Sequence, residues 1–156
     1  MRTPGGVVVF ARLSVAADLD APSVIEMAVR DWLASLALEQ NLLAGLVTAV
    51  REAVLNVCAH AYPPGAGGRV EVVVWTDVRM VHLEVIDHGS WRPPVDNVLG
   101  RGMRVMADLD EPALISFDGR GTRILFGHRL ACAHGDGASN AGRTGGRTGA
   151  DALVRG

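Results

Sequence analysis

Lysine is missing altogether, and all fifteen basic residues are arginine. That absence rules out a phosphate-binding loop of the kind that uses a lysine to reach the β- and γ-phosphates of a nucleotide. Aromatic side chains are nearly as scarce, with three Trp, three Phe and one Tyr, so the interior must be built mainly from Val and Leu. Cysteine is limited to Cys58 and Cys132. Two thiols so far apart suit neither a disulfide framework nor a zinc site, and a reduced cytoplasmic setting is the expectation. No strong charge of one sign is present: the net charge of -2 gives no general pull toward nucleic acid or an anionic membrane. Near the start the longest apolar run is Val7 to Ala11, too short for the core of a signal peptide. No segment is expected to reach membrane-spanning length, so a soluble protein is expected.

What is present is aliphatic. A chain of 156 residues that is 49% hydrophobic can bury one proper core. After the breaker Pro4-Gly5-Gly6, Val7 to Val15 reads as a strand near a sheet edge. Asp20 or Ser23 can cap a helix from about Pro22 to Ala37, with Ile25, Ala28, Val29, Trp32 and Leu36 at helical spacing. A longer helix is predicted from about Gln40 to Tyr62, where Pro63 and Pro64 stop it. The Val-rich runs Arg69 to Thr76 and Arg79 to Asp87 form a hairpin through Asp77-Val78. His88 to Gly100 reads as a loop, Arg101 to Asp108 as a short helix, and Ala113 to Phe117 with Thr122 to Leu130 as a closing hairpin. Residues 131–156 hold seven glycines and three arginines with few large apolar groups. They are expected to form a disordered tail beyond a single domain spanning 1–130.

On a helical wheel with Glu52 at zero, Asn56 lies at about 40° and His60 at about 80°. Leu43, Leu46, Val47, Val50, Val54, Val57 and Ala61 fall between about 120° and 220°, the face to be buried. The polar stripe therefore borders the core. A solvated helix face accounts for it as well as a binding site does. Two features favour a site: Arg51 and Glu52 are the only charged side chains from Leu42 to Tyr62, and Ala49, Ala53 and Ala59 flank the stripe with little bulk.

Alternation along Arg79 to Asp87 puts Val81, Leu83, Val85 and Asp87 on one face. A carboxylate carried toward a core needs hydrogen-bond donors, and an adenine amino group is one. A carboxylate capping the turn His88-Gly89-Ser90 is the plainer reading of the same residue. Gly89 permits close approach of a backbone or a ligand. Gly100 and Gly102, ahead of the short helix with Arg101, present free N–H groups of the kind that attract phosphate.

Taken in order, these segments resemble the GHKL (Bergerat) ATPase fold of histidine kinases, gyrase and anti-sigma serine kinases of the RsbW and SpoIIAB type. Arg51 to Tyr62 resembles the N-box, Val85-Ile86-Asp87-His88-Gly89 the first glycine box, Leu99-Gly100-Arg101-Gly102-Met103 the second, and Arg120-Gly121-Thr122 the final Gly-Thr element. His60-Ala61-Tyr62-Pro63 resembles the anti-sigma branch in particular. The resemblance implies a two-layer α/β sandwich, a mixed and mostly antiparallel sheet of about five strands covered on one face by helices. It further implies ATP and Mg²⁺ as cofactors, Glu52 as catalytic base toward a partner serine, and Asn56 as the Mg²⁺ ligand. Asp87 would read the adenine, Gly89 would admit it, Gly100 and Gly102 would form the phosphate lid, Thr122 would support the base, and His60 and Arg101 would face phosphate. The partners implied are a sigma factor and a STAS-type anti-sigma factor antagonist, with a homodimer common in this branch.

The chain departs from the family where Ser90-Trp91-Arg92-Pro93-Pro94 replaces a further glycine. A non-catalytic binding switch therefore stands beside the kinase as a second reading, and a plain structural domain as a third.

Overall fold

Alternation sorts the valine-rich runs into two faces, and that sorting decides where the helices lie. A computed structural model describes residues 10–90 and 113–130. Its elements are β1 (Phe10–Ala16), α1 (Ala21–Ala34), α2 (Gln40–His60), β2 (Arg69–Thr76), β3 (Met80–Asp87), β4 (Leu114–Asp118) and β5 (Gly121–Arg129). The strands form one five-stranded sheet in the order β1-β2-β3-β5-β4. Every pairing among the described strands is antiparallel, which simplifies the expected mixed sheet. As expected, β1 is an edge strand.

On β2, Val70, Val72 and Val74 are fully buried, and they sit with Val81, Leu83 and Val85 of β3 in one core. Register matches them in pairs, Val72 with Val85 and Val74 with Leu83. Both helices cover this face: α2 packs on β2 and β3, and α1 on β1 and β2. The result is two layers, helices over sheet.

α2 buries Leu46, Val47, Val50, Val54 and Val57, the face the wheel assigns to the core. By length and composition this helix could cross a membrane, with 21 residues and a mean hydropathy of 1.6, contrary to the expectation that no segment has that length. Its apolar side is explained by the sheet beneath it. The predicted extent of α1 is corrected at its end: Ser35 caps it and Ala37 takes a positive φ of 50°. Its start is also held differently. Asp20 occupies the N-cap without a side-chain bond, while Asp18 Oδ1 accepts from the N–H groups of Asp20 and Ala21 at 3.0 and 3.1 Å. The first orphan donor of the helix, the Ala21 N–H, is thus satisfied by a carboxylate two residues before the expected cap Asp20. Asp77 Oδ1 likewise accepts from the N–H groups of Arg79 and Met80, both at 2.8 Å, closing the β2–β3 turn. The expected strand start over 7–9, the helix from Arg101 to Asp108 and the tail from 131 lie outside the described residues.

Candidate functional site

β3 carries its apolar row to the edge of the helix layer and ends it on Asp87, which is 4% exposed. Opposite it in register stands Thr122 of β5, so the two side chains share the helix-covered face. Gly121 makes this pairing attainable. Its φ is +134°, and a Cβ there would lie 1.9 Å from the Asp87 carbonyl oxygen. No other residue fits so close to that backbone. The turn before it is fastened by the Arg120 N–H, which donates to Asp118 Oδ1 at 2.7 Å.

Asp87 Oδ1 accepts from the Gly89 N–H at 3.0 Å, the turn-capping contact anticipated as the plainer reading. It occupies one carboxylate oxygen. Among the described residues no donor reaches the other. Thr122 is 3% exposed, and its Oγ1 is buried with no hydrogen-bond partner. A buried hydroxyl left unpaired is costly, and a water or ligand is the usual remedy. A carboxylate oxygen with no partner among the described residues, opposite an unpaired hydroxyl, offers acceptor and donor on one face, a set that fits the amino group and ring nitrogen of a purine.

The end of α2 is bound to this strand end. Ser90 N–H donates to the Ala61 carbonyl at 2.9 Å, and a Cβ at Gly89 would meet that same oxygen at 2.0 Å. The glycine is thus required by the helix as much as by any ligand. Tyr62, just beyond the helix, donates from its hydroxyl to the Arg69 carbonyl at 2.6 Å and accepts from the His88 N–H at 3.0 Å. On the helix-free side, His88 Nε2 lies 3.1 Å from Glu71 Oε1, and Arg12 donates to Glu71 Oε2 through Nε at 3.0 Å and through Nη2. Burial alone would raise the Glu71 carboxyl, but its bonds to Arg12 and His88 outweigh that and hold it below its usual range.

The helical stripe is differently placed. Glu52 and Asn56 are half-buried and His60 is exposed, and among the described residues none of the three has a hydrogen-bond or ion-pair partner. Arg51 is turned away to Glu26 of α1 at 3.1 Å. Ala49 and Ala53, expected to leave room for a docked group, are instead fully buried; of the flanking alanines only Ala59 is exposed. Among the described residues no cluster of three His, Cys, Asp or Glu could hold a metal. A Mg²⁺ ion here would rest on the Asn56 amide oxygen, leaving substrate phosphates and water to complete its shell, since this ion usually keeps several waters and takes phosphate oxygens. Gly100, Arg101 and Gly102 lie outside the described residues.

A cavity of about 340 Å³ opens at the Asp87 end of the sheet, lined by Asp87, His88, Phe117, Arg120, Gly121 and Arg123 among others. Ile86, Ser116 and Asp118 also line it, but none of Thr122, Glu52, Asn56 or His60 does, so it does not coincide with the Asp87–Thr122 pair. Sequence reasoning named Thr122 but not what Gly121 does for it, and it gave Tyr62 no task. The available signals were a glycine directly after a turn and the chain's single tyrosine at a helix stop.

Residues 15–126 match the model of the histidine kinase-like ATPase domain. Among solved structures, the RsbU and RsbW domains of Rv1364c from Mycobacterium tuberculosis are similar, at 25% sequence identity and a TM-score of 0.63. That match covers 78% of this chain and 32% of the other, so this chain spans about a third of that protein.

Proposed function

Since the chain belongs to the histidine kinase-like ATPase family, we propose that it binds ATP at the Asp87–Thr122 strand end and phosphorylates a serine of a small antagonist protein, holding a sigma factor in alternation with that antagonist. The similarity to an RsbW domain supports the partner-switching part. The observation that carries the nucleotide part is the buried, unpaired Thr122 hydroxyl opposite a carboxylate of which one oxygen has no partner among the described residues. Asp87 accepts from the adenine amino group and Thr122 donates to the ring. Asn56 contributes its amide oxygen to Mg²⁺, which when bound neutralises charge on the phosphates. His60 is assigned to the phosphates, and the family pattern assigns Gly100, Arg101 and Gly102 to the same phosphate group.

Glu52 is the base. The serine oxygen bonds to the γ-phosphorus while the bond to the β–γ bridging oxygen breaks; that electron pair leaves with ADP, and the serine proton passes to the Glu52 carboxylate. Incubation with Mg-ATP and a STAS-type antagonist is expected to yield phosphoserine by mass spectrometry. Glu52→Gln is expected to lower transfer by at least about a hundredfold, in line with loss of a general base, with ATP affinity kept. Unchanged transfer by that variant would remove Glu52 from the mechanism. A second reading, a nucleotide-binding switch without turnover, is favoured by one feature: no described residue orients the Glu52 carboxylate. ATP binding with no phosphoserine would select it.

A further inference from the structure

Tyr62 is the only tyrosine of the chain, and it sits where Pro63 and Pro64 prevent α2 from continuing. Its ring lies over Gly68, where a Cβ would come within 2.3 Å of the ring carbons. A residue without a side chain therefore sets the direction of the ring. The last rung of the β2–β3 ladder pairs Val70 with Asp87, so the next residues facing each other are Arg69 and His88. In a continuing sheet the carbonyl of one would accept from the N–H of the other. Here the Tyr62 hydroxyl stands between them, donating to the Arg69 carbonyl at 2.6 Å and accepting from the His88 N–H at 3.0 Å. Both capacities of the hydroxyl are used. One side-chain oxygen replaces a backbone rung, ends the ladder and lets the chain after Asp87 turn to the helix, where Ser90 N–H meets the Ala61 carbonyl at 2.9 Å.

We propose that Tyr62 is a positioning residue for base recognition: by occupying the rung between Arg69 and His88, its hydroxyl sets the backbone leaving Asp87 and thereby aims the Asp87 carboxylate at the purine 6-position. This rests on the ATP reading of the Asp87–Thr122 site. Without the hydroxyl, Arg69 and His88 are free to close the rung directly, the turn that lets Gly89 N–H hold Asp87 Oδ1 is re-aimed, and the carboxylate loses its bearing. The sheet itself would gain a bond, so recognition suffers more than folding.

The discriminating experiment compares ATP with ITP, which lacks the 6-amino group, in the whole chain and in Tyr62→Phe, which keeps the ring over Gly68. A hydrogen bond to a carboxylate corresponds to about a tenfold to hundredfold preference for ATP in the unsubstituted chain. In Tyr62→Phe that preference is expected to shrink to within about twofold, chiefly through weaker ATP binding. If the unsubstituted chain binds both nucleotides equally or neither, the adenine reading fails and takes this proposal with it. If it prefers ATP and Tyr62→Phe prefers it just as much, whether or not both affinities drop, only the proposal is overturned and the tyrosine is merely structural.

A measurement without any substitution decides the matter should the variant not fold. Tyrosine labelled with ¹³C at Cζ gives a single resonance, since the chain has one tyrosine. It is expected to shift on adding ATP and not on adding ITP. Equal shifts with both, or none with either, would overturn the proposal.

Discussion

The two halves of the candidate site are built in opposite ways. At the strand ends, every position is dictated by neighbouring backbone: Gly121 against the Asp87 carbonyl, Gly89 against the Ala61 carbonyl, and Tyr62 in a vacated rung. Along α2, Glu52 and Asn56 stand half-buried with no partner among the described residues. On the proposed reading, base recognition would be organised before any ligand arrives, whereas the groups proposed for metal and proton transfer would take their final order from what binds. Such an arrangement would suit the proposed function, because positioning a base-reading group in advance lowers the cost of binding.

The sharpest way to break that contrast is to spoil the strand end. Gly121→Ala adds a methyl 1.9 Å from the Asp87 oxygen at a φ of +134°. It is expected to cost roughly 3 kcal/mol or more of stability, read from urea unfolding. A change below about 0.5 kcal/mol would mean that the backbone there relaxes freely and the rigid half is not rigid.

A smaller effect is expected at Glu71, the buttress behind His88. Its folded pKa lies below the ordinary 4.5. The carboxylate therefore contributes stability that is fully present above about 4.5, the unfolded value, and is lost as pH falls through the lower folded value. Glu71→Gln should flatten the fall in urea midpoint across that acid window and leave the curve's shape near neutrality alone. An unchanged acid limb would show that the contacts with Arg12 and His88 are not energetically coupled to folding.

Smallest of all should be Asn56→Ala. With no described partner to lose, it is expected to shift stability by less than about 0.5 kcal/mol while abolishing the Mg²⁺ dependence of nucleotide binding. If it destabilised the fold substantially, the open half would be a structural element after all.

How much of this was legible in sequence follows the same division. The buried face of α2 came from the 3.6-residue period, and the inward placement of Asp87 from the two-residue period of β3, because both patterns are local. The helix stop at Pro63 was equally plain. Contacts between distant segments were not: the hydroxyl of Tyr62 meets an N–H 26 residues away, and nothing in either segment alone announces the missing rung. Asp18 took over the cap expected of Asp20 or Ser23 because a loop carboxylate's reach depends on loop shape, which composition does not encode. Ala49 and Ala53 misled for a related reason. Small residues look alike in sequence whether they make room for a ligand or fill part of a core.

The most direct test of the central claim is a calorimetric titration of the chain and its Asp87→Asn variant with ATP, with Mg²⁺ present. Saturable binding by the unsubstituted chain is expected, weakened about tenfold to hundredfold in the variant, with the unfolding temperature of both nearly equal. No binding by the unsubstituted chain, or equal affinity in the two, would contradict it.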